Sequence, residues 1–286
     1  MIPAPFDYYA PTSLAEALTL LQRHGDDAKI LAGGHSLLPA MKLRLASPAV
    51  LIDINKVAEL RGIKVNGTVE IGAMTTWSAI EHDAALAKAC PVMAEAVSLI
   101  GDIQVRNRGT IGGSLAHADP AADMPAVVLA LDAQIHVEGP NGPRAIAAAD
   151  FFTDMLSTAL EPGEIITSIT FNSLGAGEGA AYAKFPHPAS RYAIVGAAAY
   201  VKMENGQVTA CRVAITGVGP KAERQPAVEQ ALIGTDGSAD AIAAAAAHAG
   251  EGMDILGDIH ASEEYRRAMC KVYTKRALLK AVERAQ

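Results

Sequence analysis

Residues 104–126 read QVRNRGTIGGSLAHADPAADMPA, and within them Thr110-Ile111-Gly112-Gly113-Ser114 sets a glycine pair between two hydroxyl side chains. Paired glycines free the backbone to take positive φ and to approach a ligand more closely than any Cβ allows. Residues 29–45, KILAGGHSLLPAMKLRL, repeat the idea. Lys29 to Ala32 reads as a short strand, Gly33-Gly34 as a turn, and Ser36 to Leu45 as a helix. Bare amides converging ahead of a helix make a seat for an anion, with Ser36, Thr110 and Ser114 as added hydroxyl donors. An isolated Gly-Gly pair is commonly no more than a tight turn. Two such loops, however, suit a dinucleotide, whose phosphates and sugar hydroxyls neutral donors can clamp from two sides. Neither loop matches GxGxxG or GxxxxGK, which excludes the ordinary Rossmann and P-loop readings.

Outward from these loops the elements alternate irregularly. Ser13 with Glu16 forms a capping box, and Leu14, Ala17, Leu18 and Leu21 follow at helical spacing until Gly25. Val50 to Ile54 is a buried strand, and Ile63 to Val65 faces Val69 to Ile71 across Asn66-Gly67. A helical stretch runs over Ala87 to Leu99, and strands resume at Gln134 to Val137 and Glu164 to Phe171. Hairpins with few regular alternations predict an α+β fold rather than a doubly wound parallel sheet. Between Asn172 and Gly179 the sequence NSLGAGEG has the composition of a linker. The expected division is 1–173, with subdomains of about 1–55 and 56–173, followed by 178–286. In the second part Ile194 to Met203 and Val208 to Val218 flank Asn205-Gly206, and alanine-rich helices follow. The last helix starts after Ser262 and carries its basic residues late.

The 286 residues are 50% hydrophobic and 19% charged, enough apolar content for a substantial core. A net charge of -7 with thinly spread Lys and Arg offers no basic patch, which argues against nucleic-acid binding. The N-terminal MIPAPFDYYAP has neither a basic nor an apolar leader segment, and no apolar run is long enough to span a bilayer. A cytoplasmic location is therefore expected. Cys90, Cys211 and Cys270 lie far apart, so no disulfide framework, zinc site or iron–sulfur cluster is expected from this chain alone.

The two loops, together with the MIPAPFDYYAPTSLAEAL start and a C-terminal domain of similar length, resemble the medium subunit of carbon monoxide dehydrogenase and its relatives in the xanthine dehydrogenase family of molybdenum hydroxylases. The resemblance implies an N-terminal FAD domain of the vanillyl-alcohol oxidase type, built from two subdomains, and a smaller C-terminal α+β domain with an antiparallel sheet and helices. It implies an oxidoreductase subunit with no catalytic residue of its own, passing electrons through FAD to an external acceptor. The implied partners are an iron–sulfur small subunit with two [2Fe-2S] clusters and a large subunit with molybdopterin cytosine dinucleotide, as a dimer of heterotrimers.

Carried over by motif, Leu31, Ala32, Gly33, Gly34, His35, Ser36 and Leu37, with Thr110, Ile111, Gly112, Gly113 and Ser114, are implied to wrap the pyrophosphate and ribose of FAD. Asp123 matches a carboxylate that hydrogen-bonds the cofactor; on residues alone it reads as an N-cap or loop residue near Pro125. Lys184 matches a lysine near the flavin ring and otherwise reads as a solvated strand-end lysine. Ile100 and Ile165 or Ile166 match apolar contacts to the ring and otherwise read as core. Tyr192 matches a position close to the flavin face, and otherwise a buried, hydrogen-bonded tyrosine. His117 and Asp119 form an incomplete ligand set and read as loop structure beside the cofactor. Trp77 is assigned no chemistry. Other classes remain open at this level: a self-sufficient flavin oxidoreductase with its own small substrate, and a non-catalytic nucleotide-binding scaffold.

Overall fold

The computed structural model describes residues 2–286, and Met1 lies outside it. Three larger sheets and a two-stranded one, Phe152–Asp154 with Ser157–Thr158, build the described residues. Strands Asp7–Tyr9, Val50–Asp53 and Ala28–Leu31 pair in parallel in that order. Helix Leu14–His24 covers them with Leu14 and Ala17 buried. Its Ser13 Oγ accepts from Glu16 N at 3.2 Å, but the Glu16 carboxylate returns to Thr12 N rather than to Ser13 N. The capping box is thus made in half, and a neighbouring amide takes the other half.

The second sheet is antiparallel, in the order Ile63–Val65, Thr68–Gly72, Ile165–Asn172, Gln134–Gly139, Gly142–Ala147. The expected hairpin is present, with Val65 opposite Val69. The helix read over Ala87 to Leu99 is broken into Ala84–Ala89 and Pro91–Ser98. Pro91, which lacks an amide hydrogen, starts a new helix instead of continuing the old one. Helix Leu37–Lys42 is likewise shorter than its apolar run, and Arg44 just beyond it turns left-handed at φ 59°.

The third sheet, Glu178–Pro186, Ala193–Glu204, Gln207–Thr216 and Glu223–Arg224, is antiparallel. Asn205 and Gly206 both take positive φ, 52° and 77°, the turn that matches strand twist in a two-residue hairpin. Both faces of this sheet are covered. Ala180, Tyr182, Ala198 and Tyr200 belong to the core of the second sheet, while Ala181, Ala197, Ala199 and Val201 pack toward the C-terminal helix Glu263–Ala285. The two-residue period of a strand sends alternate side chains into two different cores. The chain segment 173–177 joins the halves, with Ser173 N and Leu174 N donating to the carbonyl oxygens of Gly67 and Ala89. Glu95 adds a polar tie across the seam, accepting from Tyr182 N and pairing with Lys280 and Arg284. The α+β expectation and the antiparallel C-terminal sheet hold. No helix among the described residues is long and apolar enough to cross a membrane.

Candidate cofactor site

The first glycine loop is fixed from behind. Asn55 Nδ2 donates to the Ala32 carbonyl oxygen at 2.8 Å, and Asp53 Oδ1 in turn accepts from Asn55 N and Nδ2 at 2.9 and 2.7 Å. Burial pushes the Asp53 carboxyl up, but hydrogen bonds from Tyr8 and Asn55 and the Arg108 charge outweigh it and hold the group below its ordinary range. Beyond Ala32 the chain bends at Gly34, φ 77°. Among the described residues, no acceptor takes the amide hydrogens of Gly33, Gly34, His35, Ser36 or Leu37. These residues line a cavity of about 600 Å³, within the ordinary range of small-molecule sites.

The second loop touches the first. A Cβ on Gly33 would overlap the Arg108 carbonyl oxygen and lie 2.8 Å from Gly109 Cα. The two loops are nonetheless unlike, which corrects the expectation of one design used twice. Ile111 N and Gly112 N donate to the Thr75 and Ala73 carbonyl oxygens at 3.2 and 2.9 Å, and Ser114 N to the Thr110 carbonyl oxygen at 3.1 Å. Thr110 Oγ1 accepts from Gly113 N at 3.2 Å and caps helix Ile111–His117. The amides from Ile111 to Ser114 are therefore consumed inside the fold. A Cβ on Gly112 would sit 2.5 Å from Ala73 Cβ, so here glycine serves close packing as well.

Asp123 stands at the start of helix Met124–Ala130 but makes no side-chain cap bond. Its Oδ1 accepts from the Tyr182 hydroxyl at 2.5 Å and its Oδ2 from Lys184 Nζ at 2.7 Å. Lys184 Nζ also donates to the Leu99 carbonyl oxygen at 3.1 Å. With side chains only 5% and 1% exposed, the pair is a buried ion pair between the first two sheets' half and the third sheet. Burial pushes the Asp123 carboxyl up and the Lys184 ammonium down, while their mutual contact opposes both shifts. Neither the N-cap nor the solvated-lysine alternative describes these residues. Tyr192 is 42% exposed, so it is not the buried tyrosine of the other alternative.

Most of the sequence-predicted positions meet at one cavity: Ala32 to Leu37, Ile100, Thr110, Gly112 to Ser114, Asp123, Ile165, Ile166 and Tyr192. Leu31 and Ile111 lie in the core behind it, and Lys184 reaches it only through Asp123. The lining also holds residues that sequence reasoning missed, among them Trp77, Met74, Leu156, Leu160 and Arg191. Trp77 lies under the second loop, where a Cβ on Gly109 would come within 2.7 Å of its Nε1. A lone tryptophan just before a glycine loop in space, but not in sequence, leaves no local signal. His117 Nε2 and Asp119 Oδ2 stand 3.9 Å apart at the cavity edge.

Comparison with known proteins gives this geometry a family. Residues 4–171 match the FAD binding domain in molybdopterin dehydrogenase, and residues 180–281 match the CO dehydrogenase flavoprotein C-terminal domain. The carbon monoxide dehydrogenase medium chain of Hydrogenophaga pseudoflava is 43% identical over 97% of each chain. The 6-hydroxypseudooxynicotine dehydrogenase complex subunit alpha of Paenarthrobacter nicotinovorans is 40% identical over 100% of this chain and 97% of that one. A solved structure of the Hydrogenophaga pseudoflava carbon monoxide dehydrogenase that lacks the Mo-pyranopterin moiety superposes with a TM-score of 0.96 at 44% identity, covering 99% of both chains. The chain belongs to the family of FAD-binding medium subunits of molybdenum hydroxylases, oxidoreductase subunits of the carbon monoxide dehydrogenase type.

Proposed function

We infer that Gly33 to Leu37 and Thr110 to Ser114 hold FAD between them and that the chain is the electron exit of a larger hydroxylase. The observation that carries this reading is the run of unclaimed amide hydrogens from Gly33 to Leu37 at the cavity wall. Adjacent N–H groups without an internal acceptor suit an anionic diphosphate, and small residues let it come close. Leu31 and Ile111 support the loops from the core, and Ala32 lines the cavity beside the glycines. Ile100, Ile165 and Ile166 supply apolar walls for a flat ring, and Tyr192 adds an aromatic wall from the turn before strand Ala193–Glu204. Asp123 offers its carboxylate at the cavity, held in place by Tyr182 and Lys184.

FAD, when bound, supplies the redox chemistry that joins one-electron donors such as [2Fe-2S] clusters to an external acceptor. In this reading an iron–sulfur small subunit and a large subunit carrying molybdopterin cytosine dinucleotide flank the chain, as a dimer of heterotrimers in the cytoplasm. The hydroxylated substrate binds in the large subunit. The domain division at 1–173 and 178–286 puts the clamp in the first part and a cavity lip in the second. Affinity purification of the tagged chain from its native host tests the assembly. Co-elution with two partners carrying iron–sulfur absorption and molybdenum is expected; a lone flavoprotein oxidising a small substrate by itself would overturn the subunit reading.

A further inference from the structure

Neutral amides cradle a diphosphate without neutralising it, so a full positive charge beside them adds charge-assisted pairing. Two such cations line the cavity, Lys29 and Arg191, and neither side chain has a carboxylate or hydrogen-bond partner among the described residues. Lys29 sits in the paired strand Ala28–Leu31 with ordinary extended backbone. Arg191 is presented differently. It lies in the turn between strands Glu178–Pro186 and Ala193–Glu204, at φ 61°, a left-handed conformation that side-chain-bearing residues adopt at a cost. The turn is closed by His187 N to the Tyr192 carbonyl oxygen at 2.8 Å and Arg191 N to the His187 carbonyl oxygen at 2.9 Å. His187 Nδ1 additionally accepts from Ala189 N and Ser190 N at 3.2 and 3.1 Å.

Such over-determination of a strained residue at a cavity edge points to use rather than accident. The neighbouring Tyr192 lines the same cavity as Ser36 and the free amides. Arg191 is exposed at the rim of the cavity, where it lines the same space as Asp123 and Gly33 to Leu37. Resting on the FAD reading above, we propose that Arg191 is the cationic arm of the anion seat, pairing with the diphosphate that Gly33 to Leu37 cradle. The clamp then has three jaws, and the third belongs to the C-terminal domain.

The test uses the full chain assembled with its partner subunits and stripped of flavin. Dissociation constants for FAD, ADP and riboflavin are measured by flavin fluorescence and by competition. Arg191→Gln should weaken FAD and ADP on the order of ten- to a hundred-fold, as expected for a lost charge-assisted pair. Riboflavin, which has no diphosphate, should bind as before. Arg191→Lys should recover part of the loss, and salt should erode the advantage of the parent. Arg191→Gly relieves the backbone, so it should show the same loss together with a raised thermal midpoint, separating charge from folding. Unchanged FAD binding in Arg191→Gln, an equal loss for riboflavin, or a larger loss in Lys29→Gln overturns the proposal. A parent complex that takes up no FAD overturns the reading beneath it as well.

Discussion

Gly33 and Arg108 meet backbone to backbone: the space a Cβ on Gly33 would need is filled by the Arg108 carbonyl oxygen. Two loops distant in sequence thereby form one wall of a single cavity. Gly33→Val should push the loops apart and lower FAD content of the assembled protein below about a tenth of the parent, since backbone overlap is among the costliest substitutions. Gly112→Val should act similarly through Ala73. Visible absorbance after reconstitution measures the loss, and circular dichroism separates a displaced loop from an unfolded chain. Full flavin content in both variants would refute the clamp.

Asp123 and Lys184 test a different kind of energy. Removing one member of a buried ion pair strands the other charge, and Asp123→Ala should destabilise the fold by about 3–5 kcal/mol. Adding Lys184→Met should return much of that loss, because the stranded ammonium is gone as well. Urea unfolding of the two single variants and the double variant gives the coupling, and strict additivity would show that the pair does not interact. Flavin content, followed in parallel, should stay low in the double variant because the carboxylate is still missing.

Acid should weaken the first loop's support. The Asp53 carboxyl is held below its ordinary 3.8, although burial opposes this, and hydrogen bonding to Arg144 holds Glu164 below its ordinary 4.5. Both groups bind protons less readily in the native state than when unfolded. Their stabilisation is therefore complete above those ordinary values and is lost as pH falls through the lower native ones. A thermal midpoint followed from pH 6 downward, on a scale of about one unit per step, should drop in that window. Asp53→Asn combined with Glu164→Gln should flatten the drop; an unchanged slope would show that other groups govern it.

The segment 173–177 looks like a hinge in composition but lies over a shared core. A protease site inserted there should be cut without separating the fragments, because Ala180, Tyr182, Ala198 and Tyr200 are buried with residues of the second sheet. Gel filtration after cleavage checks this, with both fragments expected in one peak. Fragments that elute separately and remain folded would mean that the two halves are independent.

Much was legible in one dimension. The glycine pairs, the Asn-Gly hairpins, the Ser262 cap and the alternating strands are local, since each depends on the φ, ψ or hydrogen bonding of a few neighbours. So was the family, because its most specific stretch, residues 104–126, is contiguous. What stayed hidden was which neighbour each group would meet. Glycine pairs of the same appearance end differently because Ala73 and Thr75 capture amides of one loop, while among the described residues nothing reaches those of the other. Asp123 resembles a helix cap until Tyr182 and Lys184, far along the chain, take both of its oxygens. Local sequence thus determined the elements, their turns and the presence of two close-approach loops. Only the tertiary structure decided which amides stay free, which charges are buried together and that Arg191 faces the same cavity, because those depend on through-space distances between segments that the chain order does not encode.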